Sequence, residues 1–404
     1  ILGLLFYACG AIWVLAFEPV AASAEVAAMA LTALASGSAG ATVYCLATAQ
    51  RYDEDFLQFI RSCRSGPLER AAIHAGLLVA FLACILFVYL VLRTDAIAAL
   101  LGIGSMATDL DLLKARVTIS SGSETYLAPG YFKQFRDILL PILLASLIVL
   151  DRKHLRSLPF WVCFLVALLA LMISGQRLVV VVFLLTLLFA SHYSRAAQHG
   201  GVSSPRRTRI RVWPLAIVVA GYGLLTALLG RLSDQATGFG TAFNVARNFL
   251  DRVFLAAPRE NAITHPIWSE SGPTGGMSWL NDLSGVLPGV EESLSNVLHM
   301  ATGGSAAGNS PLGLPADTWL AWGWPGLVLI PALFAIGVGL MDLACHLRRS
   351  PILAGLRFHL FLVLPVCYSP FIFFLYGGAV AVALLLLVAI LRSHGPQPGS
   401  LAAA

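Results

Sequence analysis

Charged side chains are scarce in this sequence, and their scarcity excludes a soluble enzyme. Only 12% of the 404 residues are charged, whereas a typical soluble domain has roughly 25%. A soluble particle of this length needs a mostly polar surface, which so few charges cannot provide. Part of the molecular surface must therefore contact lipid.

Several familiar chemical signatures are also missing. The seven cysteines lie in apolar runs, at the end of one, or, for Cys63, in a short polar loop, so a disulfide framework is not expected. The chain has no HExxH, CxxC, Walker or GxGxxG motif, so energy from ATP is not indicated. The net charge of +5 does not indicate nucleic acid, because most basic residues lie in short loops between apolar runs.

Long apolar runs dominate what is present. Hydrophobic residues make up 58% of the chain and the mean hydropathy is +0.81. The runs are continuous rather than alternating, which favours membrane helices over a β-barrel. We predict an all-α polytopic transmembrane helical bundle of about ten or more helices, forming a single integral membrane domain over 1–404. The apolar segments are 1–17, 25–48, 72–92, 137–150, 159–174, 178–193, 213–230, 318–343, 358–375 and 377–391.

The placement of lysine and arginine predicts the orientation of these segments. Four loops and the C-terminal tail contain 16 of the 26 Lys and Arg residues, so we place them in the cytoplasm with both ends of the chain. These loops are 49–71, 151–158, 194–212 and 344–357. Alternation then places 93–136, 175–177 and 231–317 outside. The 231–317 loop has four arginines and eight acidic residues, which agrees with an external position.

The long external loop 231–317 is too long to be a simple connection. Its first part, from Phe243 to Ala257, has apolar residues at helical spacing, so we expect an amphipathic helix on the membrane surface or on the bundle. A Gly-rich stretch follows, and then a short helix at 290–300. The first external loop, 93–136, is expected to contain a helix near 107–118.

Arginines on the external side are the first candidates for a site. Arg177 ends the short turn Ser174-Gly175-Gln176-Arg177 between two apolar runs, where a cation either faces a polar cavity or a ligand, or extends to lipid headgroups. Further arginines on the external side include Arg116, Arg136, Arg247, Arg252 and Arg259. Guanidinium groups contact phosphate oxygens in pairs and suit a pyrophosphate. An ion pair with a nearby carboxylate is the alternative for each of them.

Several short motifs together resemble one family of membrane proteins. Besides Arg116 and the Ser174–Arg177 turn, these are the run Gly275-Gly276-Met277-Ser278-Trp279, the turn Leu287-Pro288-Gly289, and the segment from Asp317 to Gly326, which reads DTWLAWGWPG. The chain is similar in these motifs to the bacterial oligosaccharide repeat-unit polymerases, which make O-antigen and exopolysaccharide. Gln176 stands where that family has a small polar residue, and the resemblance covers roughly 100–390.

The resemblance implies an integral glycosyltransferase with a GT-C-like fold in the bacterial inner (cytoplasmic) membrane, with its active site facing the periplasm. The donor would be a glycan linked to undecaprenyl pyrophosphate, and the acceptor another lipid-linked repeat unit. A chain-length regulator protein would be a further partner, and no cofactor is implied. Arg177, Arg116, Arg247, Arg252 and Arg259 would stabilise the leaving pyrophosphate.

An acidic residue or a histidine near the acceptor hydroxyl would act as the general base. The external candidates are Asp317, Glu270, His265 and His299. Asp317 comes first because it lies at the junction of loop and membrane, although it could instead cap a helix beginning at Thr318. Asp109 and Asp111 have a spacing that C-type enzymes use for metal, but side chains two apart on a helix diverge, so we expect no metal.

Two other functions remain open from the sequence. An O-antigen ligase uses the same donor with a lipid A core acceptor, and would require His265 or His299. A lipid-linked sugar transporter or flippase would need charged or broken helices at mid-membrane depth. The helix interiors here are nearly free of charge, which disfavours the transporter.

Overall fold

The computed structural model describes residues 1–18, 20, 22–48, 52–93, 132–173, 177–199, 254–281, 313–364, 373 and 377–393. Every regular element in these ranges is helical. The α-helices are α1 (Leu2–Phe17), α2 (Ser23–Thr48), α3 (Tyr52–Ser62), α4 (Pro67–Leu92), α5 (Leu140–Leu150), α6 (Leu158–Ile173), α7 (Arg177–His199), α8 (Ala256–Ser271), α9 (Met277–Asn281), α10 (Gly313–Arg348), α11 (Pro351–Val363) and α12 (Ala379–Ser393). A π-helical turn, Gln134–Leu139, leads into α5, and a 3-10 turn, Arg152–Arg156, follows it.

Apolar helices of membrane-spanning length confirm the coarse prediction of a helical membrane protein. In the described part of the chain, α2, α4, α7 and α10 are long and apolar enough to cross a bilayer. The shorter apolar helices are α1, α6, α11 and α12. Each predicted apolar segment that falls at least partly within the described residues overlaps one of these helices or α5, while segment 213–230 lies outside them. Whether the bundle has about ten spans stays a prediction.

Buried apolar side chains form two clusters. The larger lies among α3, α4, α5, α6, α7, α11 and α12 and includes Phe87, Ile142 and Phe183. The smaller lies among α1, α2, α8 and the beginning of α10 and includes Met29 and Trp268. Helix α10 connects the two clusters, because Cys345 near its C-terminal end lies in the larger cluster.

Helices α2 and α10 run side by side in the same direction at very short range. Ser36 donates to the Val328 carbonyl at 2.5 Å. A β-carbon added to Gly40 would lie 2.4 Å from the Ala332 carbonyl oxygen, so only glycine fits there. Small residues allow such close approach in membrane bundles, where packing rather than hydrophobic exclusion stabilises the contact.

The loops predicted to be cytoplasmic meet at one end of the bundle. The backbone N–H of Arg64 donates to the Arg349 carbonyl at 3.1 Å. The guanidinium of Arg392 donates to both the Arg64 and the Arg349 carbonyls at 3.2 Å. Two further contacts bring the other basic loops to this end: Arg61 to the Ala197 carbonyl, and the His74 ring to the His154 ring. The loops therefore share one face, as a common side of the membrane requires.

Several helix boundaries differ from the predicted ones. Helix α11 begins at Pro351 rather than at 358, and α4 begins at Pro67 rather than at 72. In both helices proline takes the first position, where its missing N–H costs nothing. The predicted loop 49–71 also contains the amphipathic helix α3, which buries Phe59 and Ile60. Hydrophobicity alone placed these starts too late because charged residues near the beginning of each helix, Glu69 and Arg70 in α4 and Arg357 in α11, interrupt the apolar run.

The loops that are predicted to be external are only partly described. The expected helices near 107–118 and 290–300 lie outside the described residues. Of the amphipathic helix expected from Phe243 to Ala257, only the last residues are described, and they lead into α8. Helix α8 itself, which packs against α1, α2 and α10, was not predicted, because its sequence contains Pro258 and Pro266.

Candidate active site at the bend of helix α10

A sharp bend interrupts α10 close to its start. Gly323 has φ 66° and ψ −156°, a conformation that favours glycine. Pro325 follows two residues later and has no N–H for the Ala321 carbonyl four residues earlier. The bend therefore removes helical partners from carbonyls on its N-terminal side.

The loop between α8 and α9 supplies the missing donors. The backbone N–H of Thr274 donates to the Leu320 carbonyl, and that of Gly276 donates to the Ala321 carbonyl, both at 2.8 Å. The Thr274 hydroxyl also donates to Leu320, at 3.1 Å. These bonds attach the loop between α8 and α9, which is part of the segment predicted to be external, to the first part of the apolar helix α10.

Asp317 and Trp279 contact each other close to these hydrogen bonds. The Trp279 indole Nε1 donates to Asp317 Oδ2 at 2.7 Å. Asp317 is only 2% exposed, and its carboxylate is engaged with the indole. The suggested helix-capping role of Asp317 is wrong, because α10 begins at Gly313 and Asp317 lies within the helix.

Trp322 is the second tryptophan of the cluster. Its ring lies 6.3 Å from that of Trp279 at an interplanar angle of 72°. A β-carbon added to Gly276 would lie 2.8 Å from Trp322 Cζ2, so the indole packs directly on the glycine backbone. Trp322 is nevertheless 46% exposed. The two indoles thus form a corner with an accessible side.

His265 lies in a neighbouring aromatic group. Its ring is 4.5 Å from that of Trp268 and 6.1 Å from that of Trp319. Burial lowers the pKa of His265, and the charge of Glu25 opposes that shift. The imidazole is therefore neutral at pH 7 and able to accept a proton. Of the proposed bases, His265 combines this property with partial exposure.

Helix α8 is held to α1 by polar contacts. Arg259 Nε and Nη2 donate to the Glu18 carboxylate at 2.5 and 2.7 Å. Asn261 donates to the Tyr7 hydroxyl at 2.5 Å. For Arg259 the geometry favours the ion-pair alternative over a free pyrophosphate ligand.

The remaining predicted site residues are spread more widely. Glu270 is exposed near the end of α8. Arg177 is the first residue of α7, and its side chain lies outside the described part of the structure, as do Arg116, Arg247, Arg252 and His299. Arg136 is buried against Asp137, 2.5 Å away, and lies over the Phe87 ring. The pyrophosphate-binding roles therefore stay predictions.

Reasoning from the sequence missed the aromatic character of this site. Five of the eight tryptophans lie between positions 268 and 324, and four of them contact one another or His265 at the bend. The concentration of tryptophans in this part of the sequence could have indicated an aromatic site. The contact between Asp317 and Trp279 could not have been predicted, because the two residues lie 38 positions apart in the chain.

No group of three or more His, Cys, Asp or Glu side chains in the described ranges could hold a metal ion. Asp109 and Asp111 lie outside those ranges. Comparison of the chain with protein-family models, curated proteins and solved structures finds no match.

Proposed function

We propose that the protein is a membrane glycosyltransferase that polymerises lipid-pyrophosphate-linked oligosaccharide repeat units on the external side of the membrane. The observation that carries the proposal is an aromatic cluster near the bend of α10 that consists of two groups. In one group Trp279 contacts Trp322 and Asp317, and in the other His265 contacts Trp319. Indole faces pack on the C–H faces of sugar rings, and a neutral histidine is a competent general base.

The position of the cluster supports an external site. It lies at the start of α10, whereas the basic loops meet beyond the other end, at Arg349. Roughly 25 helical residues separate the bend from Arg348, about 37 Å at 1.5 Å per residue. If the basic end faces the cytoplasm, the aromatic cluster lies at the opposite surface, where a lipid-linked glycan would be presented after export.

The proposed reaction displaces lipid pyrophosphate from the anomeric carbon of the donor glycan. His265 would take the proton from the attacking hydroxyl of the acceptor, and the new C–O bond would form as the C–O bond to pyrophosphate breaks. External arginines, Arg177 and Arg116 first among them, would stabilise the negative charge on the departing pyrophosphate.

The bend of α10 also bears on the transporter alternative. Broken membrane helices in transporters expose backbone carbonyls that coordinate ions. Here the Leu320 and Ala321 carbonyls accept hydrogen bonds from the loop before α9, so the break is closed by the protein itself.

The ligase alternative is favoured by one observation, the place of His265 in the cluster, because that function requires an external histidine.

Deletion of the gene distinguishes the three functions when the surface polysaccharide is separated on a gel. Products with a single repeat unit are expected if the protein is the polymerase. Full-length polymer that is not attached to lipid A core would identify a ligase, and the absence of any exported product would identify a flippase. Either of the last two outcomes overturns the proposal.

A further inference from the structure

We infer that Trp279 and Trp322 form a stacking platform for a pyranose ring of the substrate, and that Asp317 is a positioning residue that holds the Trp279 indole. This inference rests on the proposed function, because it names the part of the site that recognises sugar. It also moves Asp317 away from the role of general base.

The fixed orientation of the two indoles is the first argument. Trp279 is held by a buried carboxylate at 2.7 Å, and Trp322 by the backbone of Gly276. Gly276 has φ 92°, so a larger residue would be strained as well as obstructed. Aromatic rings that are immobilised before binding lose little entropy when a ligand packs on them. Such anchoring is expected of a binding surface.

The burial of Asp317 is the second argument. A general base must reach the hydroxyl it deprotonates, but Asp317 is 2% exposed and accepts a hydrogen bond from Trp279. The geometry of this carboxyl group fits the task of fixing an indole better than that of receiving a substrate proton.

Two neighbouring hydroxyls provide an independent observation. Ser278 Oγ and Thr318 Oγ1 are buried and have no hydrogen-bond partner among the residues that the structure describes. Each is adjacent in sequence to one member of the Trp279–Asp317 pair. Buried hydroxyls without partners are costly, and a water molecule or a sugar hydroxyl would satisfy them.

An alternative reading is that these tryptophans belong to the aromatic belt found at membrane surfaces. Trp324 fits that description well, since it is 48% exposed and lies just after the bend, where α10 displays Val328 and Leu329 outward. A tryptophan that only contacts the membrane surface needs neither a hydrogen bond to a buried carboxylate, as Trp279 has, nor close packing on a glycine, as Trp322 has. Trp324 therefore serves as the matched control for Trp322, with nearly equal exposure.

The test measures binding directly, with the full chain in lipid nanodiscs. The probe is a short oligosaccharide released by mild acid from the surface polysaccharide of the host, and affinity is measured by titration calorimetry. We expect Trp322→Ala and Trp279→Ala to weaken binding about five- to tenfold, the loss of roughly one stacking contact each. Trp322→Phe should retain most of the affinity, and Trp324→Ala should match the wild type.

Equal weakening by Trp322→Ala and Trp324→Ala would overturn the platform, as would no binding of the probe by the wild type. Trp322 is half exposed, so its alanine variant should fold even if Trp279→Ala does not.

Substitutions at Asp317 separate positioning from proton transfer. Asp317→Asn keeps an oxygen that accepts the indole N–H but removes the base. We expect this variant to keep oligosaccharide affinity within about twofold and to retain polymer synthesis, whereas Asp317→Val should bind as weakly as Trp279→Ala. If Asp317→Asn binds normally but makes no polymer, Asp317 is the base and the inference is wrong.

The binding measurement also distinguishes the two proposals. If the deletion strain makes polysaccharide of normal length, the proposed polymerase function is wrong, but binding measured at the Trp279–Trp322 platform would still stand. Single-repeat products in the deletion strain, combined with normal binding by the Trp322→Ala variant, would overturn the platform alone.

Discussion

Glu18 and Arg259 lie 241 residues apart in the chain and join through two charged hydrogen bonds of 2.5 and 2.7 Å. The pair links the end of α1 to α8. Arg259 lowers the pKa of Glu18, so the ion pair stabilises the fold above the ordinary pKa of a glutamate and loses that effect as the pH falls. Both side chains are about a third exposed, so solvent screens the pair and its contribution is about 0.5–1 kcal/mol.

Exchange of the two charges tests whether Arg259 braces the fold or binds the donor. Each single variant, Glu18→Arg or Arg259→Glu, should lower the melting temperature because it places like charges together. We expect the double variant to recover most of that loss and to make polymer. A stable double variant without polymer would show that Arg259 contacts the pyrophosphate.

Arg177 is expected to bind the donor pyrophosphate, since its short turn lies between two apolar segments. Arg177→Lys keeps the charge but loses the paired contact with phosphate oxygens, so it should fail nearly as badly as Arg177→Ala. Polymer length on a gel is the measurement, and Arg156→Lys at the basic end is the control. Polymer of normal length from the Arg177→Lys variant would show that only a positive charge is needed at this position, and would exclude a paired contact with the pyrophosphate.

The pH dependence of polymer synthesis should report on His265. Because burial lowers its pKa, the imidazole stays neutral to a lower pH than an ordinary histidine, whose pKa is about 6.5. We expect the rate of synthesis to decline as the pH falls and the base becomes protonated, with a midpoint below that ordinary value. His265→Gln should abolish synthesis, whereas His74→Gln at the basic end should leave the profile unchanged. A His265→Gln variant with the wild-type profile would exclude this base.

Synthesis by the purified protein in lipid should continue in excess chelator. The arginines that are predicted to be external can take the place of a metal in neutralising pyrophosphate, so Asp109→Asn and Asp111→Asn should cost little, while Arg116→Ala should abolish product. Loss of activity with chelator, restored by magnesium or manganese, would move the catalytic centre to the first external loop.

Cysteine labelling tests the orientation of the chain, in a background whose native cysteines are replaced. A Ser305→Cys variant should react with an impermeant reagent added to intact cells. The matched Ser203→Cys variant, in the basic loop 194–212, should react only after permeabilisation. The reverse pattern would invert the topology and place the aromatic cluster in the cytoplasm.

The helices of the bundle were largely predictable from the sequence because each buries a continuous apolar run. The predicted segment 159–174, for example, differs from α6 by one residue at each end. The bend at Gly323 was not predictable in the same way. Glycine and proline permit a break, but it depends on donors from Thr274 and Gly276, nearly fifty residues earlier.

The candidate site was predictable in its residue types but not in its pairings. Asp317 and His265 stood out as chemical groups in an external loop. That Asp317 holds an indole, and that Arg259 is paired with Glu18, depends on contacts between distant segments. Residue type and local spacing carry no information about such partners.

The division into two apolar clusters has a consequence for the order in which the protein assembles. Helices α4 to α7 all lie within residues 67–199 and can begin to pack early in synthesis, but Ser36 of α2 must wait for Val328, 292 residues later. At about 5–20 residues per second that delay is on the order of 15–60 s. During this time the glycine- and serine-lined face of α2 has lipid as its neighbour. Because small residues allow other helices to approach closely, this face of α2 is the surface most open to incorrect pairing until α10 is inserted.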